Sequence, residues 1–127
     1  MSYPDLDQAR LQHAALRDIF QREGDWSDIP VLRGVETLCR EAAAALADPY
    51  CREELGIVAD YAAELFSQRS HRKYESESLP GAEFLRLQIL KALDSFHSRL
   101  YSIEAIRRAA EYQQLSSRGS VPGSPET

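Results

Sequence analysis

The chain has 127 residues, of which 43% are hydrophobic and 28% are charged, and its formal net charge at pH 7 is −5. This length allows one domain of ordinary size, and the share of apolar residues excludes a wholly disordered chain. Apolar runs are too short for a membrane span, a secretory leader is missing, and two cysteines are too few for a disulfide scaffold, so we expect a cytoplasmic protein without membrane contact.

The first predicted helix covers residues 5–23. Pro4 is tolerated at the start of a helix, Asp5 and Asp7 suit its positive end, and Gly24 is expected to end it in a left-handed conformation. Its apolar stripe at helical spacing contains Ala9, His13, Leu16 and Phe20.

Two further helices are predicted, joined by a very short turn. Ser27 or Asp28 caps the second helix, which carries Pro30 in its first turn and ends just before Asp48. Asp48 then caps the third helix, with Pro49 at its first position. Because the junction between them is so short, these helices are expected to form an antiparallel hairpin.

The remaining chain predicts one long helix. Residues 67–79 are polar and charged and predict a frayed helix followed by a loop, whereas no helix breaker occurs from Pro80 to about residue 115. The alternative is a break near Ser102, which can cap a separate helix. Residues 116–127, rich in serine, glycine and proline, predict a flexible tail. The fold class is therefore all-α: one antiparallel bundle of four helices, or five with the break.

The last helix is apolar on two sides. One side has the spacing of a heptad seam and contains Leu85, Ile89, Leu93, Phe96, Leu100 and Ile103. The second face contains Phe84, Leu87, Leu90, Tyr101 and Ala105. A helix that is apolar on both faces has to be surrounded, so this helix is either the central element of the bundle or contacts another chain. We expect a homodimer, or another protein partner, bound at Phe84, Leu87, Leu90 and Tyr101.

Residue patterns that carry chemistry are few. Asp94 and His97 stand three residues apart on one helix, but helical di-metal sites need such a pair twice with further carboxylates. Cys39 and Cys51 fall on the buried faces of the predicted hairpin and are expected to behave as small hydrophobic residues. No metal site, cofactor or catalytic residue is predicted, and a non-catalytic protein is favoured over an enzyme.

His13 is notable because it stands in an apolar stripe. Its ordinary interpretation is a polar residue at the edge of the core; the functional interpretation is a base or pH sensor in a pocket, with Tyr61 or Tyr101 beside it. The second interpretation predicts a small-ligand-binding or enzymatic bundle.

Trp26 and the basic residues suggest further contacts. Trp26 in the first loop either anchors a partner or, as we favour, folds back over the end of the bundle. A compact basic patch, Arg69, Arg72 and Lys73, and the pair Arg107 and Arg108 suggest a DNA-associated regulator, but basic residues spread around the last helix make nucleic acid the less favoured partner.

The sequence therefore favours a protein–protein interaction module: a small regulator, adaptor or chaperone-like subunit. The reasons are the missing catalytic motifs and the excess apolar surface of the last helix. A ligand-binding bundle and a DNA-associated regulator remain as alternatives.

Overall fold

The computed structural model describes residues 3–123, with side chains described as far as residue 116. Its elements are α1 (Pro4–Gln21), α2 (Ile29–Leu46), α3 (Pro49–Leu65), a short 3₁₀ helix (Gln68–Tyr74) and α4 (Gly81–Gly123). The described residues contain helices and no strand, so the predicted all-α class is confirmed.

The predicted start signals of α2 and α3 act as expected. The carboxylate of Asp28 accepts a hydrogen bond from the Val31 amide at 3.4 Å, and that of Asp48 accepts one from the Cys51 amide at 3.0 Å. Each cap is followed by a proline in the first turn. Ala47 adopts a left-handed conformation (φ 50°) and turns the chain sharply between the two helices. The α2–α3 hairpin follows from these local interactions.

The end of α1 differs from the prediction. The helix ends at Gln21, Arg22 is extended, and Gly24 does not adopt a positive φ. The physical reason is a distant side chain: the guanidinium of Arg86 in α4 donates hydrogen bonds to the carbonyl oxygens of Phe20 and Gln21, at 2.9 and 3.3 Å. The last carbonyls of a helix have no partner within it, and a left-handed cap is one way to satisfy them. Because Arg86 satisfies two of them, such a cap is not required here.

The four α-helices surround a single core. α1 and α3 each contact both α2 and α4, so the helices follow one another around the bundle in chain order. The largest fully buried side chains include Leu6, Leu16, Phe20, Val35, Leu55, Leu65, Leu85, Ile89, Leu93, Phe96 and Leu100. The heptad seam predicted for α4 therefore faces the core.

The 3₁₀ helix closes the groove between α3 and α4. Nε2 of His71 forms a 2.7 Å hydrogen bond with the carbonyl oxygen of Leu65, which holds the segment against the end of α3. Gly81, the first residue of α4, lies so close to the His71 backbone that a Cβ atom there would overlap the His71 carbonyl oxygen. Tyr74 stacks on Phe84 with ring centroids 5.5 Å apart.

α4 is far longer than its neighbours. It has 43 residues against 17 or 18 in α1, α2 and α3, which corresponds to about 65 Å against about 27 Å. It continues without a break through Ser102 and past residue 115. The predicted tail thus begins within α4, and residues 124–127 lie outside the described residues. Within the described part of the chain, none of the helices combines the length and apolar character needed to cross a membrane.

Candidate functional site

The first half of the second face of α4 is largely covered by the chain itself. Phe84 is half-buried under Tyr74, and Leu90 is half-buried against the core. Leu87 remains 42% exposed. The structure therefore does not bring Phe84, Leu87 and Leu90 together as an open apolar surface.

The middle of the second face packs along α1 through polar and aromatic contacts. Arg17 forms an ion pair with Asp94 at 2.6 Å, and Arg10 forms one with Glu104, also at 2.6 Å. The Arg10 guanidinium also lies over the ring of Tyr101, 5.3 Å from its centroid. These contacts fix the position of α1 along α4, while Tyr101 stays 57% exposed.

His13 lies within the same α1–α4 contact. It is 7% exposed, and its ring stacks on that of His97 with centroids 4.3 Å apart and an interplanar angle of 12°. Its Nε2 atom has no hydrogen-bond partner among the described residues. Burial lowers the pKa of His13, and the neighbouring His97 and Arg17 lower it further, whereas Asp94 opposes the shift.

The row His13–His97–Tyr101 is an aromatic stack. Tyr101 packs edge-on against His97 at 5.1 Å, and Phe96 is tilted against His13 at 6.2 Å. Tyr61 is in another part of the bundle, edge-on to Tyr74. The structure thus brings Tyr101 to the histidine pair, and it places Tyr61 on the α3 side.

α4 passes the ends of its neighbours between Arg99 and Arg107. We call residues 105–116 the α4 extension. The start of α3 lies beside Arg99, which pairs with Asp48 at 2.8 Å. The start of α1 lies beside Arg107, which pairs with Asp5 at 2.8 Å. The extension consequently exposes large apolar side chains, with exposed fractions of 59% for Ile106, 72% for Tyr112 and 64% for Leu115.

A heptad-like line of residues runs along this extension. Tyr101, Ala105, Arg108, Tyr112 and Leu115 follow one another at intervals of 4, 3, 4 and 3 residues, the spacing of a coiled-coil seam. All of them are exposed. We call this line the extension seam; it continues the predicted second face past the end of α1.

The two arginines of the extension form ion pairs within the chain, half-buried for Arg107 and exposed to solvent for Arg108. Arg107 binds Asp5 through both terminal nitrogens, at 2.9 and 2.8 Å, and Arg108 binds Glu104 at 2.9 Å. The compact basic patch predicted from the sequence, Arg69, Arg72 and Lys73, lies on the 3₁₀ helix and not on the extension. All three side chains are exposed, and Lys73 lies 4.0 Å from Glu64. The structure therefore does not join the two basic groups into one surface.

Trp26 packs onto the end of the bundle opposite the extension. Its ring stacks on Phe20 at 5.8 Å and meets Phe66 edge-on, also at 5.8 Å. Its backbone adopts φ 55°, a left-handed conformation that is unusual for an aromatic residue. Beside it lies an open groove of about 320 Å³.

The cysteines and the acidic and histidine residues form no reactive cluster in the part of the structure that is described. Burial raises the pKa of both Cys39 and Cys51 to about 12, so their thiols stay protonated at neutral pH. Among the described residues, no group of three or more histidine, cysteine, aspartate or glutamate side chains is arranged to hold a metal ion, and Asp94 is paired with Arg17.

Comparison of the chain with protein-family models, with curated proteins and with solved structures finds no match.

The second face predicted from the sequence lacks the C-terminal part of the exposed surface. Ile106, Tyr112 and Leu115 were not included because the second face was followed only as far as Ala105. The signal for Tyr112 and Leu115 is the spacing, because the intervals of 4 and 3 residues continue from Tyr101 to Leu115. Ile106 lies off this line.

Proposed function

We propose that this protein is a non-catalytic interaction module that pairs with a second copy of itself through the extension seam. The observation that carries the proposal is the exposure of large apolar side chains along a heptad-spaced line beyond the end of the bundle. Contiguous exposed apolar residues on a rigid element are typical of association surfaces. The expected unit is a homodimer with a bundle at each end.

The seam complements itself when two copies run antiparallel. Pairing in which Ala105 meets Leu115 of the second copy also brings Arg108 onto Tyr112 of that copy, and the same two contacts recur by symmetry. Each layer then joins unlike partners: a small residue with a large one, and a guanidinium with an aromatic ring. Both combinations are favourable, the first for packing and the second as a cation–π contact.

Charge favours the same arrangement. Glu111 precedes Tyr112 by one residue, so it lies beside Arg108 of the second copy in the antiparallel register. Two such reciprocal attractions form in the dimer, whereas a parallel arrangement places Arg108 against Arg108. Opposite charges at the edge of an apolar seam select partner orientation more than they add affinity.

The experiment compares two equally exposed leucines. Leu115 is 64% exposed on the seam, and Leu11 is 67% exposed on α1, away from it. In light scattering at micromolar concentration, we expect the wild type to have twice the 14.3 kDa chain mass, L115E to approach the chain mass, and L11E to stay dimeric. Circular dichroism should report unchanged helix content in both variants.

A wild type with the mass of one chain would contradict the proposal. Loss of the dimer in L11E but not in L115E would place the interface on α1 instead. The first of these results would return the ligand-binding and DNA-associated functions to consideration.

A further inference from the structure

A groove lies beside Trp26, at the end of the bundle opposite the α4 extension. It is formed between the last turn of α1, the loop that follows and the first turn of α2, and its volume is about 320 Å³. That volume reaches the lower limit of sites that hold small ligands, and it suits one or two side chains of a peptide. None of the residues of the extension seam takes part in it.

The floor of this groove is apolar and aromatic. Ile19, Val31, Trp26 and Phe66 line it, and all but the buried Phe66 are only half-buried. Because Phe20 and Phe66 pack against Trp26, the indole is held in one position without help from a ligand. A surface that is already ordered loses little conformational entropy on binding.

The rim of the groove is strongly acidic. Asp18, Glu23, Asp25 and Asp28 line it, with Arg22 as the single basic residue. The guanidinium of Arg22 is bound to both carboxylate oxygens of Asp18, at 3.0 and 2.9 Å. Outside the lining, Arg86 is close enough to Glu23 for this carboxylate to help raise the pKa of Arg86. The lining itself carries four carboxylates and one guanidinium, so its net charge is negative.

We propose that this groove binds a peptide segment of another protein in which an arginine or lysine stands next to an aliphatic residue. The aliphatic side chain packs on Val31 and Ile19, and the cationic group lies between the indole of Trp26 and the rim carboxylates. A cation over an indole face beside carboxylates is favoured by both the ring quadrupole and the Coulomb interaction. The inference is independent of self-association, since the groove and the extension lie at opposite ends.

Trp26 provides the measurement, because it is the one tryptophan in the sequence. The probe is a blocked Leu-Arg-Leu peptide titrated into the full-length protein while tryptophan fluorescence is recorded. We expect a saturable change with this peptide and none with blocked Leu-Glu-Leu at the same concentration. Raising the salt concentration from about 0.05 to 0.5 M should weaken binding several-fold, since the rim charges are exposed to solvent.

A matched pair of variants tests whether binding depends on the carboxylates of the groove or only on the net negative charge of the chain. Glu23→Gln removes a rim carboxylate for which the structure gives no hydrogen bond, and Glu41→Gln removes the same charge from the outer face of α2. We expect E23Q to weaken binding about threefold to fivefold and E41Q to leave it unchanged. Val31→Lys places a cation inside the groove and should abolish binding.

The inference would be overturned by equal responses to both peptides, by equal weakening in E23Q and E41Q, or by full binding in V31K. Saturation by blocked arginine alone, with no gain from the flanking leucines, would also overturn it, because the apolar floor would then play no part. Circular dichroism of V31K checks that the variant is folded; if it is not, the comparison of E23Q with E41Q decides.

Discussion

His13 shows how one buried ring couples the folded state to pH. Its charged and titratable neighbours at the α1–α4 contact are His97, Arg17 and Asp94, and only Asp94 and the Leu93 backbone favour the charged form. Arg10 and Glu104 lie nearby in the same contact and neutralise each other. The ring is therefore stable as a neutral stacking partner, not as a cation.

This arrangement predicts a loss of stability on mild acidification. In the folded state, burial lowers the pKa of His13 below the ordinary histidine value of 6.5, so the unfolded chain takes up the proton first as pH falls through that value. The free energy of unfolding should decrease from pH 7.5 to pH 5.5, as measured by urea denaturation. His13→Phe keeps the stack and removes the titrating group, so its decrease should be smaller. An equal decrease in H13F would show that another group is responsible.

Gly81 is required because its backbone lies very close to that of His71. Gly81→Ala should lower the free energy of unfolding by about 1–3 kcal/mol, because the new methyl group displaces the 3₁₀ helix at the His71 carbonyl. Gly34→Ala and Gly56→Ala are the controls, since a Cβ atom at either helical position meets nothing within 4 Å. These controls should instead stabilise by about 0.5–1 kcal/mol. Thermal unfolding of the three variants tests the contrast, and a neutral G81A would contradict it.

At the scale of elements, Asp48 links the α2–α3 hairpin to α4. The carboxylate of Asp48 caps α3 and also accepts two hydrogen bonds from the Arg99 guanidinium, at 3.1 and 2.8 Å. The guanidinium of Arg99, with the Cys51 amide, lowers the pKa of Asp48 from 3.8 to about 2.

Removal of this carboxylate should therefore destabilise the fold in a pH-dependent way. Asp48→Ala should cost about 1–2 kcal/mol at pH 7 for the cap alone, and Asp48→Asn should cost less because asparagine still caps α3. A lowered pKa means that the contribution is complete above pH 3.8 and is lost as pH falls through about 2. Denaturation of wild type and D48A should converge at that acid limit; a constant difference between them would contradict the assignment.

The elements also show which features a sequence can predict. Asp28 and Asp48 accept hydrogen bonds from backbone amides three residues further along the chain, so the starts of α2 and α3 can be predicted from the local sequence. The end of α1 is not, because Arg86 reaches Phe20 from the other side of the fold. Burial of Phe84 is equally non-local, since it depends on Tyr74 in a segment without periodicity.

The candidate surface was predictable only in part. Tyr101 and Ala105 were assigned from spacing, and the same spacing leads to Tyr112 and Leu115. Which part of that face is open depends on where α1 and α3 end along α4. These end points are set by tertiary packing. The pair of Arg107 with Asp5 marks where α1 begins along α4, and the pair of Arg99 with Asp48 marks where α3 begins.

At the scale of the molecule, α4 connects two surfaces that face away from one another. The bundle end holds the acidic groove beside Trp26, and the extension holds the apolar seam some tens of ångströms away along a continuous helix. A dimer formed through the extension would place two grooves at its distant tips. Such a shape suits a protein that brings two copies of a basic, aliphatic partner segment together.

Cysteine cross-linking tests antiparallel pairing of the extension most directly. Cys39 and Cys51 are buried and protonated at neutral pH, so they do not compete with cysteines introduced at the surface. In the proposed register, positions 105 and 115 of opposite copies share a layer, within the roughly 4–7 Å between Cα atoms that a disulfide needs. Like positions are separated by about 15 Å along the helix. We expect A105C/L115C to form a covalent dimer under mild oxidation and A105C alone to stay monomeric on a denaturing gel. Efficient covalent dimerisation of A105C alone, or of neither variant, would contradict antiparallel pairing.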